Sequence, residues 1–514
     1  MENSLNIHLQ TVINVFVLYS FFMLTVMTLF VALGICNLLP TKFLNFAKTY
    51  IKLLCFFCSI TTSGLVLLLK LFSHNMYSVR LPIFNIYTAP VKIYHTEQFF
   101  DIFWHNFKVV SSVYVYFNPY ILSFLLLFSF LYPIIFWLIG YDYNTNKLQM
   151  YIYMIFIFFF SFLLLLIDNI LLFYFIYEIL LILIFRIIYL SSNARGGIEG
   201  SLFYAAWALV GSILVGLGFM GLIIITNTTS FNQLRMGNSL TANEIYYLYL
   251  LFFFGFGTKL SIWPFWYWLP RAHVEVSTGI SIFLSCILIK LAYFALIKVQ
   301  LALSSEIALN ICILVGILCT IDIVFRFINL KDLKAIIAYS SVLHTNLLII
   351  LIHLDHFKIV SYSLLYVWGH SLATACLFLC VNLIESIYSS RHIFNVSGLW
   401  YTSPTTAYLT LWSLLFFLEF PCTLFFWGEI WLWVVLLSKF FVLGVIILFL
   451  SNVIFISIFF KVWWCVLYGT PGSATKILNL VYFKKIKWLI IFLIIIQFIL
   501  GFQPGFITSS VFVY

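Results

Sequence analysis

Apolar residues run along this chain in long unbroken blocks separated by short polar breaks. A bilayer crossing takes about 20 mainly apolar residues. Fourteen blocks of that order can be marked, at roughly 11–39, 50–72, 119–140, 149–167, 169–190, 201–226, 245–263, 279–299, 307–328, 333–353, 359–388, 405–437, 440–468 and 487–503. The fourth and fifth are parted only by Asp168 and Asn169, read as a tight turn. One longer segment, about 73–118, mixes polar and aromatic residues and is read as extramembrane. The pattern predicts an all-α polytopic membrane protein of about fourteen transmembrane helices. Its expected parts are N-terminal helices and a loop (1–118), a central core (119–437) and C-terminal helices (438–514).

Composition sharpens this reading. Of 514 residues, 64% are hydrophobic and 8% are charged, against roughly 25% charged in a soluble domain. A soluble fold has too few interior sites to hide so much apolar surface. The formal net charge of +10 is assigned to loops on one membrane face rather than to nucleic acid. Lys331, Lys334, Lys476, Lys484, Lys485 and Lys487 fall on the richer side. That bias places those loops toward the matrix or cytoplasm and both termini opposite. Cys55 and Cys58 form a CxxC without a second pair, inside an apolar block, where thiols act as small hydrophobes. The polar start (Glu2, Asn3, Asn6, His8) has neither the basic region of a signal peptide nor the Arg/Ser character of a transit peptide. Heavy use of Phe, Ile, Leu and Tyr suits an A+T-rich organelle genome.

Charge inside the spans is the candidate chemistry. An ionisable group at the bilayer centre costs about 2.5–3.5 kcal/mol on insertion scales, so it is a functional candidate by default. The spans hold Glu178, Arg186, Lys259, Lys290, Asp322, Arg326, His344, His370, Glu419 and Glu429. Arg186, Asp322 and Arg326 lie where side chains can reach the headgroups. Glu178, Lys259, Lys290, His344, His370 and Glu429 are flanked by apolar residues for two turns or more on at least one side.

Two prolines stand beside these charges. Pro264 follows Lys259 by five residues, cannot donate to the Leu260 carbonyl, and should break the helix just beyond the lysine. Pro421 precedes Glu429 by eight residues and is expected on the same helical face. Broken helices with ionisable neighbours at membrane depth are the pattern of ion transporters. Lys, Glu and His on separate helices suit proton transfer, because burial and neighbouring charge can bring each to a protonation change near neutral pH. A metal site is not expected, since neither His344 nor His370 has an acidic or Cys partner at ligand spacing on its helix.

The same residues carry a family resemblance. TKLSIWPFWYWLPRAHVEVSTGISIFLSCILIKLAYF resembles the signature segment of the chain 4 family of NADH:ubiquinone oxidoreductase (respiratory complex I). In that family a lysine precedes a Pro-broken helix, a W-L-P-x-A-H-x-E loop follows, and a second lysine lies in the next helix. DLKAIIAYSSVLH, GHSLATACLFLCVN, NILLFYFIYEILLIL and FPCTLFFWGEIW resemble four further family segments in order, from about 168 to 430. The resemblance implies an antiporter-like, proton-pumping membrane subunit. Glu178 and Lys259 would be the acid–lysine pair, Lys290 the central relay, His344 and His370 its continuation, and Glu429 the terminal group. A glutamate at that last position matches chain 4, where the sister chains 2 and 5 carry lysine.

The resemblance further implies a multi-pass place in the mitochondrial inner membrane among other membrane-arm subunits and lipids. No cofactor is expected in this chain; NADH, FMN, iron–sulfur clusters and ubiquinone would belong to partner subunits. A subunit of a multisubunit cation/proton antiporter, a structural subunit with a vestigial relay, and a stand-alone solute transporter are the rival readings. The sequence departs from the family pattern at Trp266, where a histidine is usual, at Val276-Ser277 for Ala-Pro, at Ala292 and its neighbours for glycines, and at Asn329 for an arginine.

Overall fold

The computed structural model describes residues 79–85, 112–117, 119–141, 147–192, 195–236, 240–303, 309–354, 358–470 and 480–508. The first two predicted spans, Cys55, Cys58 and Lys476 lie outside these residues. Within the segment read as an extramembrane loop, β1 (Val79–Asn85) and β2 (Ser112–Phe117) pair antiparallel. This ribbon is an addition to the otherwise helical expectation. Alternating residues such as the Val113, Val115 and Phe117 set against Tyr114 and Tyr116 give it the two-residue period of a strand.

The helices follow as α1 (Pro119–Ile139), α2 (Lys147–Leu166), α3 (Ile170–Ser191) and α4 (Arg195–Thr226). Then come α5 (Ala242–Leu260), α6 (Trp268–Glu275), α7 (Thr278–Phe283) and α8 (Ile289–Leu303). Next are α9 (Leu309–Phe327), α10 (Leu333–Leu354), α11 (Lys358–Tyr388), α12 (Pro404–Phe417) and α13 (Leu424–Lys439). Last are α14 (Phe441–Leu448), α15 (Ile456–Tyr468) and α16 (Leu480–Phe502). Among the described residues, nine helices are long and apolar enough to cross a membrane.

Their order of burial locates the core. The stretches Thr278–Leu303 and Tyr362–Tyr388 are 100% buried over their most apolar windows, whereas Ile170–Ser191 is 44% and Tyr482–Phe502 28% buried. Among the described residues, the Lys290 and His370 helices are therefore the most deeply enclosed. Helix association in lipid depends on close packing rather than on water exclusion. Gly369 and Gly428 meet that need where α11 crosses α13: a Cβ on Gly369 would collide with the Phe425 backbone, and one on Gly428 would lie 2.6 Å from Tyr366 Cα.

The turn read at Asp168–Asn169 is present. Asn169 caps α3 by accepting from the Leu172 N–H at 3.2 Å. Asn232 donates to the Asp168 carboxylate at 3.0 Å.

Candidate functional site

Helix α5 starts on a capping box made by Thr241 and Glu244 and runs to Leu260. Ser261 then turns left-handed at φ 57°, and its N–H closes back on the Gly257 carbonyl. The helix thus ends one residue beyond Lys259, as the proline required. The freed backbone groups are taken by other side chains. Trp268 donates its indole N–H to the Thr258 carbonyl at 2.8 Å, and Asn346 of α10 accepts from the Trp263 N–H at 3.2 Å. Non-helical backbone at membrane depth is tolerated on these terms.

Lys259 is buried, and its ammonium lies 3.3 Å from the centroid of the Tyr177 ring. Glu178, the next residue along α3, forms no ion pair with it within 4.0 Å. The two charges interact through space, and Glu178 Oε1 receives no hydrogen bond. A cation over an aromatic face is worth about 2 kcal/mol or more when desolvated, and the ring stands where contact with the acid was expected.

A second break lies under Lys290. Between α7 and α8 the backbone widens into a π-turn over Leu284–Leu288. Such single turns leave a carbonyl out of the ordinary ladder. Here Lys290 Nζ donates to the Ser285 carbonyl at 2.9 Å and lies 2.8 Å from His370 Nδ1. The His370 and His344 rings are 5.6 Å apart, and His344 Nδ1 is 3.0 Å from the Tyr366 hydroxyl. Phe417 and Phe425 flank His344 at 5.0 and 5.1 Å. Three of the six candidate residues, Lys290, His370 and His344, are thereby brought into one continuous buried group.

Glu429 is buried on α13, where it accepts from the Trp433 indole at 2.8 Å. The expectation that Pro421 shares its helical face is corrected. The helix before the break ends at Phe417, the next begins only at Leu424 with Thr423 as its cap, and Pro421 lies in the break. Proline ahead of a cap cannot continue a helix, so the eight-residue spacing does not measure two turns here. Within this break Glu419 and Cys422 take positive φ of 59° and 72°. Glu419 had no place in the expected relay, yet its Oε1 stands 3.7 Å from His344 Nδ1.

The remaining span charges separate cleanly. Arg186 is exposed on α3 with its guanidinium 5.4 Å from the Tyr189 ring. Arg326 pairs with Asp322 one turn away at 2.7 Å at a partly exposed edge, and its guanidinium lies 4.9 Å from the Trp266 ring. The tryptophan that replaces the family's usual histidine is therefore a packing surface for an arginine.

Three buried basic groups escaped the sequence reading. Lys298 on α8 donates to the Ile167 carbonyl and faces Phe231 at 4.8 Å. Lys334, read as a loop charge, is buried in the first turn of α10 and donates to the Val276 carbonyl at 2.9 Å. His273 is fully buried, stacked on Phe378 at 5.2 Å, with no hydrogen bond to either ring nitrogen. The signal available for Lys298 and Lys334 was their place at the edge of apolar blocks, which cannot distinguish a snorkelling side chain from a buried one.

Comparison with known proteins follows this geometry. The family described as NADH:quinone oxidoreductase/Mrp antiporter, TM, matches residues 167–455. NADH-ubiquinone oxidoreductase chain 4 of Paramecium tetraurelia is 27% identical over 331 residues, covering 64% of this chain and 70% of that one. Among solved structures, the Mrp complex of a Dietzia species has a chain similar with a TM-score of 0.75 at 16% identity, covering 90% of this chain and 92% of that one. A chain of respiratory complex I from Thermus thermophilus has a TM-score of 0.71 at 18% identity, covering 87% and 91%. The overall likeness to these two is one of fold.

Proposed function

Because the chain belongs to the NADH:quinone oxidoreductase/Mrp antiporter membrane family, we propose that it is a membrane-arm subunit of NADH:ubiquinone oxidoreductase that moves protons. The proton path runs through Glu178, Lys259, Lys290, His370, His344 and Glu429. Its partners are other membrane-arm subunits, including the sister chains 2 and 5, in the mitochondrial inner membrane. NADH, FMN, iron–sulfur clusters and ubiquinone belong to those partners' reaction. The observation that carries the reading is the buried contact of Lys290 with His370 at 2.8 Å beside a π-turn, in the most deeply enclosed pair of helices among the described residues.

The steps assigned to this chain are proton transfers alone. A change elsewhere in the complex moves Glu178 relative to Lys259. Withdrawal of the carboxylate favours release of the lysine's proton. Lys290 takes it, His370 and His344 pass it on, and Glu429 releases it. The tyrosine ring under Lys259 holds the protonated lysine in place before the step, and the withdrawal of the carboxylate must outweigh that contact for the proton to leave.

Replacing Lys259 with Ala or Glu429 with Gln should abolish translocation through this chain while the complex still assembles. Reconstituted complex that pumps with the wild-type proton-to-electron ratio in both variants would sink the reading. A subunit of a multisubunit cation/proton antiporter is the second reading, favoured by the fold likeness to an Mrp chain. Purification with flavin- and iron–sulfur-containing subunits decides for the first, and purification without them for the second.

A further inference from the structure

Glu419 sits where α12 and α13 part, between a 14-residue and a 16-residue helix. Its backbone is left-handed at φ 59°, which costs a residue with a Cβ about 1–2 kcal/mol. Its side chain is buried, and a buried carboxylate is costly unless it is paired and hydrogen-bonded. Oε1 receives no hydrogen bond that would offset this. What it faces is the His344 imidazole, with Nδ1 at 3.7 Å. The same nitrogen lies 3.0 Å from the Tyr366 hydroxyl, and the His370 ring, which contacts Lys290, is 5.6 Å from the His344 ring. Phe417 and Phe425 flank the ring at 5.0 and 5.1 Å. Glu429, by comparison, is anchored by the Trp433 indole.

We infer that Glu419 is a further proton station, the carboxylate that takes the proton from His344 at the break between α12 and α13. The inference rests on the proton-relay reading above and adds a residue to it. In the step, the imidazolium N–H bond of His344 breaks and an O–H bond forms on Glu419. The ring becomes neutral as the carboxylate becomes a carboxylic acid, and no electron moves. A positive and a negative charge vanish together, so the step leaves no uncompensated charge in a region where one is expensive. The 3.7 Å gap is closed by rotation of the carboxylate or spanned by one water. Proton transfer to Glu429 then starts from Glu419 instead of from a histidine.

The test uses the whole complex in sealed vesicles, with protons moved per NADH oxidised as one readout. The NADH-induced infrared difference spectrum, which reports the C=O stretch of a protonated carboxyl group, is the other. Glu419→Gln should lower the proton-to-electron ratio as far as Lys290→Met does, and Glu419→Asp should restore most of it. A carboxyl band should be missing from Glu419→Gln and present in Glu429→Gln. Glu419→Gly removes the carboxylate at a position whose φ suits glycine, so it separates chemistry from strain. If Glu419→Gly or Glu419→Gln pumps at the wild-type ratio while Lys290→Met does not, Glu419 is no station and the relay reading stands. If Lys290→Met also pumps at that ratio, the relay reading falls and the inference falls with it.

Discussion

The two buried lysines are held in opposite ways. Lys290 lies between two stretches whose most apolar windows are wholly buried, bonded to a carbonyl freed by a π-turn and to a histidine on α11. Lys259 lies at the end of a helix beside α3, whose most apolar window is 44% buried, and its ammonium rests on a ring rather than on the carboxylate beside it. A hydrogen-bonded group in a packed core has one geometry, because the surrounding density leaves it no alternative. An ammonium over a ring has a partner that tolerates displacement. The contrast divides the site into a fixed inner segment and an adjustable outer one. An energy-driven change is more easily received at the second.

Ways of breaking that division run from large to small. Lys290→Met removes the centre of the fixed segment, and proton transfer through the chain should slow by about a hundredfold or more, measured as pumping in vesicles. Equal pumping would show that the inner contact is not on the path. Gly369→Val puts a side chain into the Phe425 backbone. The α11–α13 contact should open at a cost of about 1–3 kcal/mol or more, seen as reduced assembly on native gels. Normal assembly would mean the crossing is not as close as it stands here. Tyr177→Leu, which replaces the aromatic ring under Lys259 with an aliphatic side chain, should cost about 2 kcal/mol of charge stabilisation there. Pumping should become more sensitive to Glu178→Asp in that background, and an unchanged sensitivity would deny the ring its role. Asp322→Asn, at a partly exposed pair, should change stability by less than about 1 kcal/mol, checked by thermal melting of the complex. A larger loss would move Arg326 from the periphery into the site.

Much of this was legible in the chain itself. The apolar blocks mark the helices because a membrane crossing demands both length and apolarity. Pro264 foretold the end of α5 because a missing N–H and a clashing ring act within one turn. Lys259, Lys290, His344, His370 and Glu429 all lie buried as expected. The position of Pro421 was misjudged for a related reason. Helical spacing counts only inside a helix, and the break that proline accompanies extends to Thr423.

What the sequence determined by itself is therefore much of what acts locally: which segments are helices in the membrane, where prolines break two of them, and which polar residues those helices must carry. The family motif adds the order of those residues. Only the tertiary structure decided who faces whom. Tyr177 instead of Glu178 under the Lys259 ammonium, Glu419 beside His344, and Val276 as the acceptor for Lys334 each join residues far apart along the chain. Partners across helices are chosen by packing, and close packing depends on shape along the whole contact, such as the bare backbone at Gly369 and Gly428. No period along one strand of sequence contains that information.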